Sequence, residues 1–335
     1  MKINTEIEFS TDLIPEKHVL VKYYVRNSIY KFTRLFMNVL ITGGTGLIGQ
    51  KLVNALKQDK ANITVLTRNT KKAASTLGSN ISFIEKLSLS CIENQDVVIN
   101  LAGEPIANKR WSKAQKNKIC HSRWDITKQL TDLIKKAASP PGLFISGSAI
   151  GIYGRQPNTP IDETFTRYNQ EFTHEVCEKW EKLALEAKSD VTRVVVLRTG
   201  IVLDSKAGAL AKMLLPFRLG VGGKVSGGQQ VMSWIHIEDM ISAILHIQNT
   251  PSFKGVANIT SPYPVTNGIF SKTLAETLKR PAILNTPAIL LKIIFGEMAD
   301  LLLFGQHVLP SKLIHSGFNF KHPTIDKALK NLLDK

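Results

Sequence analysis

The sequence predicts an α/β fold, a doubly wound parallel sheet carrying a smaller C-terminal lobe, and three observations carry that expectation. Short apolar runs rich in Val, Ile and Leu alternate with helical segments along the first two hundred residues, the pattern of parallel strands buried on both faces. The first clear run opens into a glycine-rich turn, MNVLITGGTGLIG at 37–49, and a second strand follows about one βαβ unit later. A chain of 335 residues with 43% hydrophobic content suits one large domain, or a nucleotide domain with a smaller appendage.

The elements follow in order. Residues 38–42 form a short β-prone run that enters a turn holding Gly43, Gly44, Gly46 and Gly49, and 47–57 read as a helix. Glycine has no Cβ to block an anion, so the amides at such a helix N-terminus can approach a pyrophosphate. The alternative is an ordinary tight turn; the strand, turn, helix and second strand (62–67) arriving in sequence favour a Rossmann-type dinucleotide site. The residue after the second strand selects the cofactor. NAD sites place Asp or Glu there for the ribose 2′-hydroxyl, whereas NADP sites use Arg near the 2′-phosphate. This chain has Thr67 and Arg68, then Lys71 and Lys72, with no carboxylate nearby. A guanidinium grips a phosphate through paired charge-assisted bonds, so NADP(H) is the expected cofactor.

Residues 96–100 (DVVIN) make a compact strand running into Leu101, Ala102, Gly103 and Glu104, small residues that let backbone approach the adenosine side of a cofactor. Residues 143–148 (LFISGS) form another strand end, followed by Gly151 and Tyr153, and 192–197 (TRVVVL) a third, followed by Arg198. A helix over 169–188 carries the apolar spacing Phe172, Val176, Trp180, Leu183, Ala187, read as a core-facing stripe. Glycines 220, 222, 223, 227 and 228 mark a loop able to move as a lid. The division that results is an N-terminal extension at 1–36 and a nucleotide domain at 37–199, to which 227–247 return. Residues 200–226 and 258–335 then form a substrate lobe.

Composition excludes several classes. Three scattered cysteines, Cys91, Cys120 and Cys177, suggest neither a disulfide framework nor a metal site and point to a reducing cytoplasm. No apolar stretch reaches membrane-spanning length; 288–295 is short and interrupted by Lys292. The formal charge of +16 invites a nucleic-acid reading, but no helix–turn–helix, zinc-finger or RNA-binding motif accompanies it. The densest basic stretch, 109–128, with Trp111 and Trp124 embedded, reads as a solvated helix face. Attraction of anionic ligands accounts for the charge. The 1–36 segment has six Lys/Arg and four acids and no apolar core of a leader, so it reads as an extension and not a targeting peptide.

GGTGLIG, the NLAG at 100–103, SGSAIGIYG and the PIDE at 160–163 resemble the extended short-chain dehydrogenase/reductase superfamily. CEKWE at 177–181, LRTGIVL, MLLPFRLGVGGKVSGG, MSWIHIED, GEMADLLLFGQHVLPSKL and GFNF narrow the likeness to its atypical "epimerase family", which has its own C-terminal domain. The resemblance spans 37 to the C-terminus, with 1–36 outside it. It implies NADP(H) contacts at Gly43, Thr45, Gly46, Leu47 and Ile48 around the phosphates. It further implies Thr67 and Arg68 at the adenosine phosphate, with Leu101, Ala102, Gly103 and Arg123 along the groove.

Catalysis is where the pattern departs. Superfamily proton chemistry uses Tyr and Lys at i and i+4, the cation lowering the phenol's pKa. The six tyrosines are followed four residues later by Asn27, Ser28, Arg34, Pro157, Phe172 and Asn267, never by Lys. Aligned on Glu181, Thr173 stands at the tyrosine position and Cys177 at the lysine position. Ser148 matches the superfamily serine that hydrogen-bonds a substrate oxygen, and with Tyr153 it is the expected catalytic pair. Glu163, His174, Cys177, His236 and Asp239 are further polar candidates, each also readable as packing. Two functions follow: an NADP(H)-dependent oxidoreductase or epimerase-type enzyme on a small molecule, or a non-catalytic NADP(H)-binding regulatory protein resembling factors of cell or plastid division. The residues name neither the substrate nor an oligomeric state.

Overall fold

A computed structural model of the protein describes residues 37–282 and 284–334, with a short antiparallel ladder of Tyr24–Val25 on Ser28–Ile29. The rest of 1–36, and with it the expectation of an extension there, lies outside the described residues. The elements of the first half are β1 (Asn38–Thr42), α1 (Leu47–Gln58), β2 (Asn62–Leu66), α2 (Thr70–Leu77), β3 (Ser82–Ile84), α3 (Leu89–Ile92) and β4 (Val97–Asn100). Then come α4 (Lys113–Lys136), β5 (Leu143–Ala149), a 3₁₀ turn (Ile150–Tyr153), α5 (Phe172–Leu185) and β6 (Arg193–Thr199). The second half holds β7 (Ile201–Leu203), α6 (Gly208–Arg218), β8 (Val231–Met232), β9 (Trp234–His236), α7 (Ile237–Asn249) and β10 (Gly255–Ile259). It closes with β11 (Val265–Thr266), α8 (Asn267–Leu278), α9 (Ala288–Phe295), α10 (Asp300–Leu303), α11 (Ser311–His315) and α12 (Ile325–Leu333).

Seven strands form one parallel sheet in the order β10-β6-β5-β4-β1-β2-β3. Strand order reverses between β1 and β4, the switch point at which doubly wound sheets bind ligands. Val39, Leu40, Ile41, Val97, Val98, Ile99, Phe144, Ile145 and Val194–Leu197 are all buried, because helices cover both sheet faces. One core packs β1, α1, α7 and α12 together, and a second packs α4 and the end of α5 against the other face. The outermost strand β10 lies beyond the 227–247 segment, whose own strands pair elsewhere: β9 runs parallel to β7, and β8 is antiparallel to β11.

On α5 the buried face is Val176, Cys177, Trp180, Glu181 and Ala184, while Phe172 and Leu183 are only half-buried. The apolar spacing in the sequence therefore misplaces the stripe by part of a turn. The helix turns a carboxylate inward because Glu181 has partners in the sheet, as described below. Trp111 and Trp124 lean on the Ile119–Cys120–Val176 cluster, their indole N–H groups donating to the carbonyls of Ile106 and Val176. Among the described residues no helix is long and apolar enough to cross a membrane.

Candidate functional site

The turn between β1 and α1 is built around backbone contact. Gly43 has φ +71°, and a Cβ there would lie 2.5 Å from the Leu101 carbonyl carbon and 2.8 Å from the Ala102 nitrogen. Only glycine lets these two strand ends touch. Gly46 N–H donates to the Gly43 carbonyl at 3.0 Å, and a Cβ on Gly49 would overlap that same oxygen. Helix α1 begins at Gly46 with no side-chain cap and no acid in its first turn. The free amides of that turn and the positive end of the helix dipole therefore face outward without an internal anion. Thr45 and Gly46 are exposed there, Leu47 and Ile48 half-buried.

The other groove residues gather around this turn. Thr42 Oγ1 donates to Asn100 Oδ1 at 2.6 Å, and Asn100 Nδ2 donates to Thr127 Oγ1 at 2.8 Å, which pins β1, β4 and α4 together. Helix α4 thereby sets Arg123 beside Gly103: a Cβ on Gly103 would stand 3.0 Å from the guanidinium carbon. Arg123 lies over the Trp180 ring at 5.2 Å, and burial lowers its pKa. Thr42 is in register with Leu66, so Thr67 and Arg68 leave the sheet next to the turn. Arg68 is exposed and, among the described residues, has no hydrogen-bond or ion-pair partner. Such a guanidinium, next to uncapped amides and with no carboxylate in its place, fits a phosphorylated adenosine.

Ser148 and Tyr153 belong to a different environment. Ser148 Oγ donates to Glu181 Oε1 at 2.7 Å. Glu181 also receives a bidentate grip from Arg198, through Nε at 3.0 Å and Nη2 at 2.8 Å. Arg198 Nη1 then donates to the Tyr153 hydroxyl at 3.1 Å, which itself donates to Asn258 Oδ1 at 2.7 Å. Tyr153 is 0% exposed, and burial pushes its phenol up to about 12. Burial alone would lower the Arg198 guanidinium, but the Glu181 carboxylate outweighs it and the pKa is raised. The chain of bonds links the ends of β5 and β6 to α5 and β10. A surface cavity of about 480 Å³ reaches Glu181 and Arg198 past Tyr168 and Lys182; none of its walls belongs to the glycine turn.

Position by position, Cys177 is buried against Ser148, and burial together with Glu181 pushes its thiol up to about 12. Thr173 packs on Gly151. His174 Nδ1 lies 2.6 Å from the Ile152 carbonyl. Glu163 accepts from the Asn258 and Lys312 amides, and burial raises its pKa; Asp239 accepts from the Lys321 and His322 amides. His236, Glu238 and His322 group their ligand atoms within 4.8 Å. Most of those atoms already have partners: His236 Nδ1 accepts from the Glu238 amide at 3.0 Å, Lys321 holds Glu238 at 2.7 Å, and His322 Nε2 lies 3.2 Å from the same carboxylate, while His236 Nε2 is buried without a hydrogen-bond partner among the described residues. Through these bonds the group ties α7 to the C-terminal segment.

Sequence reasoning did not assign Arg198, Glu181 or Asn258 to this network. One signal for it existed: an arginine within an otherwise apolar parallel strand must find a buried acid.

The sheet order, the switch point and the open glycine turn define a nucleotide-binding protein of the doubly wound α/β class. The comparisons then specify it: the chain belongs to the NAD dependent epimerase/dehydratase family, whose model matches residues 39–259. A second model, described as a domain of unknown function, matches residues 286–332. The chain is 37% identical over 301 residues to an epimerase family protein of Staphylococcus aureus, covering 88% of this chain and 99% of that one. It is 38% identical over 304 residues to an Arabidopsis thaliana protein described as the chloroplastic homolog of epimerase family protein SDR39U1, covering 89% and 87%. The crystal structure of human epimerase family protein SDR39U1 with NADPH superposes with a TM-score of 0.81 at 32% identity, covering 89% of this chain and all of that one.

Proposed function

We propose that this protein binds NADP(H) at the β1–α1 turn and uses it as an oxidoreductase or epimerase-type enzyme on a small molecule in the cytoplasm. The observation that carries the reading is the exposed Arg68, without a partner among the described residues, beside the uncapped first turn of α1. The human relative's NADPH complex supports it. In this reading Gly43, Thr45, Gly46, Leu47 and Ile48 hold the pyrophosphate, Thr67 and Arg68 the 2′-phosphate, and Leu101, Ala102, Gly103 and Arg123 the groove. Residues 37–199, with 227–247, form the nucleotide domain; 200–226 and 258–335 form the lobe over the substrate. The bound dinucleotide supplies the hydride.

The chain's own residues supply position. Ser148, whose hydroxyl hydrogen is donated to Glu181, orients a substrate hydroxyl by accepting its hydrogen. Tyr153 holds Arg198 and does not exchange protons, because its phenol is buried and its pKa lies far above neutrality. A second reading is favoured by one observation: the Ser148 hydroxyl and Cys177, at the usual Lys position, are buried in internal contacts, and half-buried Thr173, at the usual Tyr position, packs on Gly151. That arrangement suits a protein that binds NADP(H) as a signal. Following NADPH oxidation against panels of carbonyl compounds and sugar nucleotides separates the two. The enzyme reading expects turnover that drops at least tenfold in Ser148→Ala; silence across the panel, with tight NADPH binding intact, selects the regulatory one.

A further inference from the structure

The strongest unexplained feature lies away from the glycine turn. Helix α9 reads AILLKIIF, and of its residues only Leu291 is buried. Ile289 and Ile293 are 73% and 66% exposed. A helix apolar on all sides is normally enclosed by protein or lipid. The apolar surface continues beyond it. Val225 bridges Thr286, and the Thr286 amide donates to the Lys224 carbonyl at 2.9 Å. Residues 224–226 therefore run beside Thr286 just before α9, and the neighbouring chain adds Leu219, Val221 and Leu284, 52–68% exposed.

The charge on these segments has one sign. Residues 205–224 and 277–296 contain seven Lys or Arg and no Asp or Glu. Arg218, Lys224, Arg280 and Lys292 are all exposed. The bordering acids are already matched: Glu276 stands 3.9 Å from Lys272, and Glu297 pairs with Lys116 at 2.5 Å. Two occupants fit poorly. A second copy docked about a two-fold axis would set these cations against their own counterparts. A small ligand could occupy only one edge of the face: a cavity of about 450 Å³ lies between Lys224, Lys272, Arg280 and Leu284, and no residue of α9 lines it.

We infer that this face docks on an anionic lipid surface, with Ile289 and Ile293 of α9 entering the headgroup boundary and Arg218, Lys224, Arg280 and Lys292 meeting lipid phosphates. This is the chemistry of interfacial helices, which lie in the membrane plane without spanning it. It requires no transmembrane segment.

The test is co-sedimentation of the full chain with vesicles of phosphatidylcholine alone or with about one third phosphatidylserine. The expected result is binding to the anionic vesicles that exceeds binding to neutral ones by about tenfold or more and weakens as salt is raised. Ile289→Asp/Ile293→Asp should abolish it, and Arg280→Glu/Lys292→Glu should reduce it about tenfold or more. Both variants change exposed side chains, so each should keep the wild-type melting temperature and NADPH affinity. Failure to bind either vesicle, equal binding to both, or wild-type binding by the Ile variant overturns the inference. So does a wild-type dimer in solution that the Ile variant converts to monomer, which would assign the face to a second copy.

Discussion

The glycine turn and the Ser148–Glu181–Arg198–Tyr153–Asn258 network sit at the strand ends of one sheet, on either side of β4, yet they are built on opposite plans. The turn works through backbone: glycines that admit close approach, an uncapped helix start, and a cation left without an internal partner. The network works through side chains that satisfy one another completely, with both members of its ion pair under 8% exposed. The first presents backbone groups outward; the second pairs its groups with one another, and the cavity of about 480 Å³ beside it reaches only Glu181 and Arg198 of the five. The difference teaches that in this chain the polar side chains at the ends of β5 and β6 are bonded to one another, while the cofactor end keeps groups without an internal partner among the described residues. A site must leave something unpaired in order to bind, and here the unpaired groups lie at β1, α1 and β2.

The sharpest way to break this contrast is to unpair the closed region. Glu181→Leu leaves Arg198 charged, buried and without its acid, and should cost about 3–5 kcal/mol of stability, measured by urea unfolding. Adding Arg198→Met should recover most of that loss; a single variant as stable as wild type would show that the ion pair is not enclosed as described. In the open region, Gly43→Ala forces a Cβ onto the Leu101 carbonyl at a positive φ. It should cost about 1–3 kcal/mol, and NADPH binding, followed by fluorescence, should fall about tenfold or more. Arg68→Asp separates binding from folding. NADPH affinity should drop about 10–100-fold, corresponding to about 1.5–3 kcal/mol for charge-assisted bonds, while the unfolding midpoint stays in place.

A further expected effect is a pH dependence. Burial, with His322 beside it, pushes His236 down to about 4, below its ordinary value near 6.5. The unfolded chain therefore takes up a proton that the folded chain refuses. This contribution to stability is complete above pH 6.5 and is lost as pH falls toward 4. Glu238, held near 2 chiefly by Lys321, adds to the loss only below its ordinary range. Denaturation at stepped pH should show stability falling between 6.5 and 4, and His236→Gln should flatten that slope.

The two regions also differ in how far the sequence discloses them. Gly43, Gly46 and Gly49 are neighbours in the chain, and their spacing is dictated by a local turn, so motif and geometry coincide. Arg68 is readable for the same reason: it follows β2 by two residues, and its charge decides its partner. The network joins residues up to 105 positions apart, and no local period encodes it. The apolar spacing of α5 even points away from Glu181, because the partner that pulls the helix round, Arg198, lies on a strand that otherwise reads as pure core. The outer strand β10 escapes for a related reason: its five residues, GVANI, are too short and mixed to stand out until β6 pairs with them.

The central claim is that the open region selects the phosphorylated dinucleotide. Titrating the wild-type protein with NADPH and with NADH under one buffer and salt, following nicotinamide fluorescence, tests it most directly. The account predicts that NADPH binds at least about tenfold more tightly, the worth of one charge-assisted phosphate contact. Equal dissociation constants for the two would contradict it.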